Sequence, residues 1–385
     1  MTHDPVLEPF RAERRRFIEV AGRHGLTVAA AAQAGGVLFS EQAVAQVAKD
    51  DEARQKAAKQ TMIFATEYKI EDWVKYPVMQ ARFKDNVEQA TKGFIYVKLF
   101  PAGQLGIGGA LAQKIQAGTV QGGAVSLSNF SPFSPVVDMI NIPYWCGENQ
   151  KYANLVTSRA WEKELLPKVM ARGFKPMFYY TVDPRTIATR RGFGKVVKAP
   201  ADMRGMKMRV PPSQLLQTFY RLAGANPTVV AWGETPTAMK QGVADGLDPA
   251  VAALATFGFA DILETISTIR SVPDAQMFAA NFNWYQALPE TVKSAFDTAS
   301  EKTQIETFAQ IEKSRAESMK ILSAAGVKFY NPTPDEFRQW VDTCGEARKE
   351  WDEHKIKLAG SIDNFNRFKE AANTKGPITV GDYKG

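Results

Sequence analysis

The apolar positions of this chain change period several times within its first 130 residues. Thr61-Met-Ile-Phe-Ala-Thr66 is a short β-rich run and predicts a first strand. Over residues 73–91, Trp73, Tyr76, Val78, Met79, Phe83 and Val87 recur at helical spacing, which predicts a helix with one face turned inward. Residues 94–100 alternate and predict a second strand, and 103–109 form a Gly-rich turn. Residues 110–117 read as a helix closed by Gly118, and 120–127 as a third strand. Strand and helix alternating in this way begin a doubly wound α/β lobe.

A similar series returns downstream. Strands are predicted at 177–182, 206–210, 228–231 and 243–248, with helices at 214–223 and 235–241, the latter stopped at Gly242. The spacing Lys114-x-x-x-Gly-Thr-Val-x-x-Gly123 is echoed by Lys240-x-Gly-Val-x-x-Gly246, as two lobes of one design would give. Residues 289–325 hold a helical pattern longer than an ordinary helix, with Pro289 at its start and Gly326 past its end. Such a helix is long enough to brace both lobes. A further helix is predicted at 335–357, and 374–385 reads as a tail. The expected division is lobe I from 46–182 plus 275–315, and lobe II from 183–274 plus 316–385.

Composition supports two lobes and removes several chemistries. The chain has 385 residues, 45% hydrophobic and 23% charged, enough for a sizeable core. The net charge of +7 is diffuse, with no block of like charge to form a nucleic-acid arm. At the start, Arg14 and Arg15, one spacer, then Phe17 and Ile18 resemble a twin-arginine export signal. A weakly apolar stretch over 25–39 follows, too short to span a bilayer, then Ala43-Val44-Ala45 as a small-x-small cleavage site. These features predict a signal peptide over 1–45 and a periplasmic protein beginning at Gln46. Of three histidines, His3 and His24 lie in that leader, which leaves His354 on a solvated helical position. One His with Cys146 and Cys344 is too little for a Ser-His-Asp triad, a His-rich zinc site or a Cys cluster. The two cysteines form either one disulfide or two separate buried thiols.

The candidate site residues sit at strand ends. Arg209 closes a strand just before Pro211-Pro212, and in an α/β lobe the carboxyl ends of the strands face the ligand crevice. A guanidinium there can grip a carboxylate with two parallel hydrogen bonds. Gly106-Ile-Gly-Gly109 lacks the third glycine of a dinucleotide fingerprint and the Lys of a phosphate loop, and reads as a connection. Glu67, Ser126 and Asn129 lie at strand ends of the first lobe, toward the same crevice. Trp145, in Pro143-Tyr-Trp-Cys146, is either core or wall of the site.

These blocks carry a family resemblance. Phe100-Pro-Ala-Gly-Gln-Leu-Gly106, Ala201-Asp-Met-Arg-Gly-Met-Lys-Met-Arg-Val-Pro211, Gly224-Ala-Asn-Pro-Thr228, Trp232-Gly-Glu234, Gln241-Gly-Val-Ala-Asp-Gly246 and Asn283-Trp-Tyr-Gln-Ala-Leu-Pro289 resemble, in order, the solute-binding proteins of tripartite ATP-independent periplasmic (TRAP) transporters. The resemblance implies a two-lobed flytrap α/β receptor for a small organic anion, serving a membrane permease. It implies that Arg209 pairs with the ligand carboxylate and that Trp232 lines the site. It also implies a second arginine upstream; here Arg185 and Arg190 both offer themselves at altered spacing, and the choice stays open. Asp248 is either a contact for a cation or polar ligand group, or a cap. No other cofactor, no nucleic acid and no membrane span are expected. The alternatives are a binding protein for another transporter or a sensor, and an enzyme on a similar scaffold.

Overall fold

The computed structural model of the protein describes residues 41–69 and 79–381. The leader up to residue 40, with its paired arginines, and residues 70–78 of the first predicted helix lie outside the described residues.

Two sheets organise the chain. The first has five strands in the order β2-β1-β3-β10-β4: β1 Gln60–Thr66, β2 Ile95–Phe100, β3 Gly122–Ser126, β4 Phe174–Pro184 and β10 Pro273–Asn281. β1 runs parallel to β2 and β3, while β10 is antiparallel to both of its neighbours. The second has six strands in the order β11-β9-β5-β8-β6-β7. These are β5 Ile187–Arg190, β6 Lys207–Val210, β7 Asn226–Val229, β8 Gly246–Leu247, β9 Leu263–Ser267 and β11 Lys328–Tyr330. Here β6 is parallel to β7 and β8, and β5 is antiparallel to β8 and β9.

The echoed glycines have a shared physical cause. Gly118 and Gly242 follow the helices Gly108–Gln116 and Thr235–Lys240 at φ 76° and 69°, where a side chain is disfavoured. Gly123 and Gly246 lie in the next strand of each lobe. A Cβ on Gly123 would stand 2.5 Å from the Ala65 carbonyl oxygen, and one on Gly246 2.9 Å from that of Ala188. Each lobe therefore builds a helix, a left-handed glycine and a strand drawn close to its neighbour. Both strands end at the same crevice.

The first sheet is covered by an aromatic cluster in which Phe83, on the helix Gln80–Ala90, meets Phe64, Phe278 and Phe296 at centroid distances of 5.0, 5.3 and 6.0 Å. The long helical pattern forms two helices in succession, Glu290–Phe308 and Ile311–Ala324, separated at Ala309 and Gln310. The first packs on the Gln80–Ala90 helix and β4, the second on β4 and on the helix Val251–Thr256 of the second sheet. The pair thus touches both lobes, as one long helix was expected to do. The predicted 335–357 helix is also divided: Pro334–Cys344 ends at Gly345, and Asp352–Ala359 follows. A Cβ on Gly345 would lie 2.3 Å from the Val341 carbonyl oxygen. His354 is on the first turn of the second piece, half-buried with its ring 6.0 Å from that of Trp351, rather than fully solvated near a helix end. The expected tail is pinned through Gln150, which donates to Ile378 O and accepts from Val380 N. Cys146 and Cys344 are separate buried thiols.

Two adjacent strips of chain pass between the sheets, from β4 to β5 and from β9 to β10. Pro184 is in register with Pro273, and the Arg185 N–H donates to Val272 O at 2.8 Å. Asp183, at the first crossing, has φ 146°. Arg315 of the Ile311–Ala324 helix grips it from two sides, Nε to Oδ2 at 2.6 Å and Nη2 to Oδ1 at 2.7 Å, and Asn149 donates to it at 2.9 Å. No helix among the described residues is long and apolar enough to cross a membrane.

Candidate ligand-binding cleft

The carboxyl ends of the parallel strands converge on one cleft, with about 340 Å³ of empty space counted with its open mouth. The five-stranded sheet supplies a polar wall: Glu67 just past β1, Ser126 at the end of β3, Asn129 one turn later, and Gln276 on β10. The six-stranded sheet supplies Arg209 on β6, Pro211 and Trp232, backed by Pro249, Ala253 and Phe257. Aromatic edges close the space: the Trp232 and Phe257 centroids are 5.1 Å apart, and those of Tyr68 and Phe257 are 5.2 Å apart. The lobes also meet where a Cβ on Gly233 would lie 2.7 Å from the Ile107 side chain.

Arg209 is 2% exposed and is held from one side only. Its Nε and Nη2 both donate to Val230 O, at 3.0 and 2.7 Å, and its Cζ lies 5.2 Å from the centre of the Trp232 ring. Among the described residues it has no carboxylate within ion-pair distance, and Nη1 has no hydrogen-bond partner. The edge formed by Nη1 and Nη2 is therefore available to a bidentate acceptor. Burial pushes this guanidinium down to about 10, despite the opposing charge of Asp248.

Arg185 is paired with protein carboxylates instead. Nη1 pairs with Asp248 at 3.1 Å, and Nη2 pairs with Asp274 at 2.9 Å and donates to Ser128 at 3.1 Å. Burial alone would lower its affinity for a proton, but Asp274 and Asp248 outweigh burial and raise it. Asp248 is fully buried behind the cleft wall, its carboxyl raised by burial against the pull of Arg185 and Arg209. Its Oδ1 is held by Arg185, and its Oδ2 has no hydrogen-bond partner among the described residues. No group of three or more His, Cys, Asp or Glu side chains among the described residues is arranged to hold a metal ion.

Arg190 stands elsewhere. β5 is antiparallel to β8, so its first residues adjoin the cleft and its last residue, Arg190, faces away, paired with Asp245 at 3.2 Å. Between the two upstream arginines, Arg185 is the one that lines the cleft. Trp145 is core: its ring packs 5.0 Å from Phe365 and its Nε1 donates to Met139 O. Glu67, Ser126, Asn129, Arg209 and Trp232 are brought together as expected of strand-end positions. Tyr68, Asp274, Gln276 and Phe257 were not anticipated. Tyr68 follows Glu67 directly and shared its signal, whereas Asp274 and Gln276 lie on β10, which the pattern did not reveal.

Glu67 carries a pH dependence. Burial lifts its carboxyl from an ordinary 4.5 to about 7, opposed by the Tyr68 hydroxyl and by the Gly108 N–H, which donates to Oε2 at 3.3 Å. The folded chain holds a proton there that the unfolded chain has released, so this contribution is complete below about 4.5 and is lost as pH rises to about 7. Glu67→Gln should remove that dependence, stabilising the protein at pH 8 relative to pH 5 by at most about 3 kcal/mol. Denaturant melts of both proteins at the two pH values check this; parallel pH profiles would refute it.

Comparison with known proteins agrees with this architecture. A family model, bacterial extracellular solute-binding protein, family 7, matches residues 65–354. The chain belongs to this family. It is a DctP-like TRAP solute-binding protein. The C4-dicarboxylate-binding periplasmic protein DctP of Vibrio cholerae is 24% identical over 257 residues, covering 66% of this chain and 76% of that protein. Two solved folds are close. A TRAP periplasmic solute-binding protein from Roseobacter denitrificans with bound β-D-glucuronate has TM-score 0.72 and 19% identity, covering 82% of this chain and 100% of the other. One from Shewanella oneidensis with bound succinate has TM-score 0.71 and 20% identity, covering 81% and 97%. The family consists of solute-binding proteins, not enzymes.

Proposed function

We propose that this protein captures a small organic acid in the interlobe cleft, through Arg209, and delivers the closed complex to the membrane subunits of a TRAP transporter. One observation carries the reading: Arg209 is a buried cation without an ionic partner among the described residues, with one hydrogen-bonding edge toward the cleft. A buried charge left unpaired is costly, and a ligand carboxylate supplies the missing partner. Trp232 shields the pair, and the side chains of Ser126 and Asn129 and the Gln276 Nε2, which make no hydrogen bond to protein among the described residues, are placed to meet neutral polar groups of the ligand. The molecules bound in the Roseobacter and Shewanella structures, β-D-glucuronate and succinate, are organic acids, in keeping with such a site. Calorimetric titration with organic acids, with Arg209 variants alongside, tests the proposal.

The reading also requires export. Arg14 and Arg15 precede the apolar stretch and the Ala43-Val44-Ala45 site. Replacing both arginines by lysine should leave the precursor uncleaved in the cytoplasm, while the wild-type chain appears in the periplasm beginning at Gln46. Amino-terminal sequencing of the fractionated protein checks this; a periplasmic double variant or a mature chain starting at Met1 would count against it.

A further inference from the structure

We infer that the cleft selects a monocarboxylate bearing neutral hydroxyl, carbonyl or amide groups, and discriminates against dicarboxylates. The inference rests on the reading of the cleft as an organic-acid site and follows from its charges. The lining residues include two cations, Arg185 and Arg209. Arg185 is already paired: Asp248 and Asp274 take its two terminal nitrogens, and its Nε is buried with no partner among the described residues. Asp274 is likewise satisfied, with Oδ1 on Arg185 and Oδ2 accepting from the Ala250 N–H at 2.9 Å. Both aspartates are therefore spent on Arg185, and the one open guanidinium edge of Arg209 remains to receive one carboxylate.

Among the described residues, the wall opposite Arg209 has no cation to offer a second carboxylate. It presents Glu67, Ser126, Asn129 and Gln276, which are acidic or neutral. The Gln276 amide is oriented by the Tyr68 hydroxyl, which donates to its Oε1 at 2.9 Å and leaves Nε2 for the cleft. Hydroxyl and carbonyl groups are suited to amides and hydroxyls of this kind, and a hydroxyl can pair with Glu67 in either protonation state. A second carboxylate would be desolvated beside Glu67 with no counter-ion, and like charges across a dry site are strongly disfavoured.

Matched pairs separate charge from size. Gluconate and glucarate share a six-carbon polyhydroxy chain, and glucarate adds a terminal carboxylate; succinamate and succinate differ by an amide in place of a carboxylate. Titration calorimetry at pH 8, with Arg209→Ala as control, is expected to show the monocarboxylate of a pair binding at least about tenfold more tightly than its partner. A dicarboxylate that binds as tightly as its monocarboxylate partner, and loses that affinity in Arg209→Ala, overturns the inference while leaving the organic-acid reading intact. If neither member of either pair binds the wild-type protein, or binding is indifferent to Arg209→Ala, the organic-acid reading falls and the inference with it.

Discussion

Arg209→Ala is expected to weaken binding of the cognate acid by about 30-fold to several thousand-fold, or roughly 2–5 kcal/mol, without unfolding the protein. The loss follows from desolvation: the ligand carboxylate would be enclosed by Trp232, Pro211 and Phe257 with no cation to meet it. Arg209→Lys should fall between the two. One ammonium cannot hold Val230 O, as Nε and Nη2 now do, and still present two parallel donors to the ligand. The fold should tolerate the alanine, because the substitution removes a buried charge that has no ion pair among the described residues. Titration calorimetry measures affinity, and thermal melting of the ligand-free variants measures the fold. Unchanged affinity in Arg209→Ala, or an apo protein that melts far below wild type, would make Arg209 a structural residue.

The second large effect is on stability. Arg315→Ala should destabilise the protein by about 3–5 kcal/mol, because it strands the Asp183 carboxylate in the core. Asp183 is already raised by burial, against the hydrogen bonds and charge of Arg315, and without them burial acts unopposed. Its proton uptake on folding then grows, so the variant should lose more stability as pH rises above the ordinary carboxylate range than it does in acid. Asp183 also adopts a φ of 146°, a conformation that persists only where surrounding contacts over-determine it. Adding Asp183→Asn to Arg315→Ala removes the stranded charge and should recover part of the loss. Denaturant unfolding of the single and double variants at pH 5 and pH 8 is the measurement. A single variant within about 1 kcal/mol of wild type at both pH values would refute the assignment.

Much of the site was legible because it is built on parallel strands whose carboxyl ends share one side. β1 is rich in β-branched and aromatic residues, while β3 and β6 hold one valine each and are bounded by Gly118 before the one and Pro211 after the other; Glu67, Ser126 and Arg209 follow from where those strands stop. The misplacement of Arg190 came from strand direction: β5 was not anticipated, and its antiparallel pairing with β8 sends its last residue away from the ligand. β10 was missed because Pro273-Asp-Ala-Gln-Met-Phe-Ala-Ala-Asn281 is buried at every position and has no alternation to detect. Its place between β3 and β4 is decided by partners about 90 to 150 residues away, which a local pattern does not contain. Trp145 posed a different problem, since an apolar wall and an apolar core ask for the same residue. Contact with Phe365 decides between them.

The two buried thiols make this protein indifferent to its redox surroundings. Cys146 and Cys344 are unpaired, and burial pushes Cys146 well above its ordinary range and Cys344 to about 12, so neither supplies thiolate near neutral pH. No cross-link has to form for the described fold to be complete. The chain can mature in a reducing cytoplasm and work in an oxidising compartment with the same covalent structure. Reductant in a preparation, or its absence, leaves the cleft unaltered.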